Sequence, residues 1–91
     1  MGVKLQDLEL NSKRGWFVKV GNTSVVADKD RFLCSLKAAH LTYNENKNMY
    51  GEDSKATLRA RRTMNYYYGQ IDENTSDVMT LLMFDPNEWD V

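Results

Sequence analysis

The chain has 91 residues, 42% hydrophobic and 27% charged, with a formal net charge of −1 and an isoelectric point near 5.7. That composition describes one ordinary globular domain over residues 1–91. It sets aside disorder, and it sets aside the uniformly basic class of polyanion binders, whose domains have isoelectric points above about 9. A chain this short buries a modest core but cannot enclose a deep active site.

From the N-terminus, Val3 to Leu10 reads as a strand of mixed periodicity, and Asn11 to Gly15 as a turn. Two β-branched and aromatic runs follow, Trp16 to Val20 and Thr23 to Ala27, separated by Gly21-Asn22. Those two residues tolerate the positive φ of a tight turn, so an antiparallel β-hairpin is expected over about 16–27. Asp28 and Asp30 then stand where a helix N-cap would accept an orphan N–H. Phe32, Leu33, Leu36, Ala39, His40 and Tyr43 recur at spacings of three and four, which predicts a helix over about 29–43 laid across the hairpin.

Residues 44–53 are polar and Asn-rich and contain Gly51, a loop composition. Ser54 precedes a run of good helix formers, so a second helix is expected over about 54–66. The alternation of Ala56, Leu58 and Ala60 and the Tyr66-Tyr67-Tyr68 run leave a strand open over 54–68. A polar turn at 72–77 leads into the apolar run Val78 to Phe84, expected as a late buried strand over about 78–84 and ended by Pro86. Together these elements predict a small α+β domain.

The near-neutral total charge conceals a split. All twelve Lys and Arg lie in residues 1–62, beside seven acids, whereas residues 63–91 carry six acids and no Lys or Arg. At the boundary, Arg59, Arg61 and Arg62 are followed by Tyr66 and Tyr68, a basic-aromatic pattern. Guanidinium groups can fork onto phosphate or carboxylate oxygens, and an aromatic face can stack a base. The same residue types are enriched at protein interfaces. The opposing expectation is that the arginines are solvated or pair with Asp72, Glu73 and the acidic tail. In that tail, Trp89 stands among Asp85, Glu88 and Asp90, either as a contact residue or docked back on the domain.

Catalytic constellations are missing from the pattern. The single His40 and the single Cys34 fall about 120° apart on the proposed helix, so they cannot pair directly, and Cys34 is expected as a small core side chain. One cysteine excludes an internal disulfide. Asp72 to Asp77 opens like a calcium loop, but Asp77 stands where such a loop needs Gly, and Met83 where it needs Glu. No catalytic residue, metal site or cofactor is therefore expected.

The chain reads as a non-enzymatic interaction protein that binds, and through binding inhibits or adapts, a protein partner. Its contact residues would be Arg59, Arg61, Arg62, Tyr66, Tyr68 and Trp89. Phage-encoded inhibitors of host or defence proteins share its size, which is an analogy of size only. The alternative is a single-stranded nucleic-acid or nucleotide binder using the same patch. A homodimer is compatible with either. No segment is apolar and long enough to cross a bilayer and no signal-peptide pattern is present, so a cytoplasmic location without membrane contact is expected.

Overall fold

A computed structural model describes residues 3–4, 7–13, 15–20, 23–26 and 29–90. It is mostly helical. Helix α1 spans Lys29–Tyr50 (22 residues), α2 Lys55–Gly69 (15 residues) and α3 Asp77–Met83 (7 residues). Extended chain is confined to minimal ladders. Strand β1 (Val3–Lys4) runs parallel to β4 (Trp89–Asp90), and β2 (Phe17–Val20) runs antiparallel to β3 (Thr23–Val26).

The α+β expectation is thereby corrected. Among the described residues, β2 and β3 are not the platform on which α1 lies: α1 packs chiefly on α2, and the buried side chains of α1 meet residues from far along the chain. The Gly21-Asn22 turn lies outside the described residues. Of the strand expected over Val3 to Leu10, Val3 and Lys4 are the ones in a ladder among the described residues.

Helix α1 runs seven residues beyond Tyr43, through the Asn-rich stretch expected as a loop. Tertiary contact outweighs the weak helix propensity of asparagine here. The Asn46 side-chain amide donates to the Ala56 carbonyl at 3.4 Å, tying the extension to α2. The helix stops at Gly51, whose φ of 87° lies in the left-handed region and whose N–H donates to the Lys47 carbonyl at 3.0 Å.

The corner between α1 and α2 is closed by hydroxyl groups. Ser54 caps α2 by accepting from the Thr57 N–H at 3.2 Å. Fully buried Thr57 donates its hydroxyl to the Gly51 carbonyl at 2.7 Å, and the two hydroxyl oxygens stand 2.7 Å apart. With that start fixed, α2 continues past Tyr66 and takes all three tyrosines into its last turns.

The late strand expected over 78–84 is a helix instead. Leucine and methionine favour helix, and a short apolar run carries no periodicity to separate a strand from a buried helix. Val78 and Leu81, three apart, turn towards the core, while Met79, Leu82 and Met83 turn away from it. Asp85 then caps a single 3-10 turn at Pro86–Glu88.

The core joins Leu10, Phe32, Leu33, Leu36, Ile71, Leu81 and Trp89, with Trp16, Tyr67, Tyr68 and Val78 partly buried against it. Phe32 is its aromatic centre, with the Trp16 ring at 5.2 Å and the Tyr67 ring edge-on at 5.8 Å. Leu10 and Ile71 arrive together because the segments around them are paired. Lys13 N–H donates to the Gln70 carbonyl at 3.0 Å, and Asp72 N–H donates to the Asn11 carbonyl at 2.7 Å. Cys34, expected in the core, is exposed: two residues from Leu36 is about 200° of helix, which places it on the opposite face.

Candidate functional site

Helix α2 separates its residues cleanly. Thr57 and Ala60 are buried, Met64, Tyr67 and Tyr68 are partly buried, and Lys55, Arg59, Arg61 and Arg62 are exposed. Lys55, Arg59, Arg62 and Tyr66 follow one another by four, three and four residues, so they form one stripe along the outer face. Arg61 lies about 100° to the side of Arg62. The helix contains no acid. Among the described residues the only ion pair shown is Lys13 with Glu73, at 3.1 Å, which spans the chain's charge boundary and involves no residue of α2. Among the described residues, neither the acidic tail nor Asp72 forms an ion pair with Arg59, Arg61 or Arg62, so the stripe keeps its cationic field facing solvent.

Tyr66 is half-buried and meets Tyr67 edge-on at 5.5 Å, which steadies the C-terminal end of the stripe. Beside it, α1 and α2 leave a shallow groove of about 330 Å³, lined by small residues such as Ala38, Ala60 and Thr63 and by Tyr67.

The structure does not bring the remaining sequence candidates onto that stripe. Tyr68 turns inward, and its hydroxyl is 3.0 Å from His40 Nδ1. Burial pushes the Tyr68 hydroxyl up to about 12, so it stays protonated around neutral pH. Trp89 is 3% exposed and belongs to the core, its carbonyl accepting from Lys37 Nζ at 2.6 Å. Its indole Nε1 is buried with no hydrogen-bond partner among the described residues.

Between the two aromatics sits His40, edge-on to Tyr68 at 5.9 Å and to Trp89 at 5.8 Å. Burial lowers the His40 pKa, opposed in part by the negative charge of Asp85. The ring shares a hydrogen bond at Nδ1 with the Tyr68 hydroxyl, and the imidazole tautomer sets which of the two donates. This cluster is a structural joint connecting α1, α2 and the C-terminal segment. Among the described residues, no group of three His, Cys, Asp or Glu side chains is placed to hold a metal ion, and no helix is long and apolar enough to cross a membrane.

Three features escape a sequence-only reading. Lys55 completes the cationic stripe, and its signal was available as the four-residue spacing to Arg59. The second is an exposed apolar face on α3, hidden because Val78 to Phe84 reads as a buried strand. The His40 joint had no local signal at all, since its members are brought together only by the fold. No family model, curated protein or solved structure matches the chain, so its function is read from its own surfaces.

Proposed function

We propose that this chain is a non-enzymatic interaction protein whose α2 face binds an acidic surface of a protein partner. The observation that supports this reading is the solvent-facing stripe of Lys55, Arg59 and Arg62, which is free of internal ion pairs among the described residues. Arginine on a rigid helix loses little on binding beyond its own side-chain entropy, and it forks onto carboxylates. Tyr66 adds an amphipathic contact at the end of the row. Occupying a partner's acidic working surface in this way would inhibit it.

The same Tyr66 supports a second reading, a single-stranded nucleic acid laid along the stripe with a base stacked on the ring. One experiment separates the two. The chain is titrated at low salt with a glutamate-rich peptide and, separately, with a short oligothymidylate, while backbone resonances are followed. The first reading expects the peptide to shift Arg59, Arg62 and Tyr66, with affinity falling about tenfold in an Arg59→Ala, Arg62→Ala variant. Shifts with the oligothymidylate alone transfer the site to nucleic acid. If neither ligand moves α2, both readings fail.

A further inference from the structure

Helix α3 carries apolar side chains on two faces, and the core accounts for only one of them. Val78 and Leu81 pack inward. Met79, Leu82 and Met83, spaced three and four apart, face solvent with 62%, 49% and 81% exposure, and Phe84 follows at 36%. Next to this face lies an open groove of about 380 Å³, with Leu82, Met83 and Phe84 on one wall and His40, Asn44, Lys47 and Asn48 of α1 on the other. Contiguous exposed apolar surface of this kind marks an interaction site. Methionine suits such a surface because its unbranched, polarizable side chain moulds to the partner.

We propose that this face and groove dock a basic amphipathic helix from a partner protein. Charge selects that occupant. Asp77 lies on α3 itself and Asp85 lines the groove; Glu88 and Asp90 follow, and residues 63–91 contain no Lys or Arg. Among the described residues none of these four acids is in an ion pair. Lys47 is the single Lys or Arg lining the groove, and its ammonium lies 6.0 Å from the centre of the Tyr43 ring. A helix with leucines at three- and four-residue spacing and lysines at its flanks would fill the apolar strip and neutralise the rim.

The alternatives meet the same field with the wrong sign. An anionic membrane would meet the Asp85 carboxylate at the groove and a flanking segment, residues 63–91, without Lys or Arg. A second copy docking face to face would set the acidic rim against itself. Helix α2 of a second copy offers cations but no free apolar face, because its apolar side is packed on α1. The surface is therefore distinct from the α2 stripe, and the chain has two docking faces of opposite sign.

The test uses the full chain with labelled methionine methyl groups. The probes are an idealised Leu/Lys amphipathic peptide, its Leu/Glu counterpart and phosphatidylglycerol vesicles. The Leu/Lys peptide is expected to shift the methyls of Met79 and Met83 and to leave half-buried Met64 on α2 in place. Affinity should fall at least about tenfold in a Leu82→Ser, Met83→Ser variant, whose exposed positions leave the core intact. It should be unchanged in Arg59→Ala, Arg62→Ala, which separates this site from the α2 stripe. The proposal is overturned by unmoved Met79 and Met83 methyls, by equal affinity for the Leu/Glu peptide, or by preference for the vesicles. Concentration-dependent broadening of those methyls without peptide also overturns it, by assigning the face to a second copy.

Discussion

His40 meets Tyr68 through a hydrogen bond and an edge-on ring contact, and Trp89 through a second ring contact. Because burial lowers its pKa in the folded chain, the unfolded chain takes up a proton first as the solution is acidified from neutrality. Stability contributed by the neutral ring is complete above the ordinary value of 6.5 and is lost as pH falls from there towards the lowered folded value. Urea midpoints should decline from pH 7.5 to pH 5 in the native chain, and this histidine-dependent decline should be absent in His40→Gln. Equal slopes would remove His40 from the acid response. Replacing Asp85 by Asn removes the charge that favours protonation, so the histidine signal, unique in this chain, should titrate at a lower pH still.

Trp89 makes a complementary test at the same scale. Its ring fills core volume, while its buried N–H goes unpaired among the described residues. Trp89→Phe removes the orphan donor with much of the packing and should change stability by less than about 1 kcal/mol, whereas Trp89→Ala should cost about 3–5 kcal/mol. Chemical denaturation of the two variants measures the difference directly.

Among the elements, the α1–α2 corner has the clearest energetic signature. Thr57→Val keeps the shape and deletes the hydroxyl that serves the Gly51 carbonyl, at an expected cost of about 1–3 kcal/mol. Ser54→Ala removes the cap at about 1 kcal/mol. Since the two hydroxyls also contact each other, the double variant should lose less than the sum, and additive losses in a double-mutant cycle would show that the corner is not one unit. The start of α2 was legible in the sequence because a cap is a local device. The same holds for the apolar spacing of Phe32, Leu33 and Leu36. The length of α1 was not legible, because Asn44 to Tyr50 is held helical by a neighbour rather than by its own propensity. Helix α3 was misread for a related reason. Both Val78 to Phe84 as a buried strand and the same run as a two-faced helix satisfy the pattern, and only the tertiary setting decides.

For the whole molecule, the charge division was visible in the sequence, but its meaning came from the fold. Among the described residues no acid is paired to Arg59 or Arg62, which stand outward on α2, while Trp89, an equally good contact residue on composition, is used for packing. Folding and binding should accordingly respond to salt in opposite measure. The single ion pair shown among the described residues, Lys13 with Glu73, is exposed, and surface pairs contribute about 0–1 kcal/mol. Melting temperature should therefore be nearly constant from low to high salt, and Lys13→Ala should be close to neutral. Association through either charged face should weaken markedly over the same range as the field is screened. A melting temperature that falls steeply with salt would mean that the two halves stabilise each other across the molecule after all.

The hydroxyl-closed corner at Gly51, Ser54 and Thr57 also orders events in time. It joins helices adjacent in the chain, so the contacts it organises are local and inexpensive in loop entropy, while Val3 must find Trp89 across nearly the whole sequence. The helical pair should therefore assemble early and open late, and the C-terminal segment should close last and open first. In native-state hydrogen exchange this places the amides of α1 and α2 in the slow class and those around Trp89 in the fast one. The acidic docking face would thus become fully formed only at the final folding step.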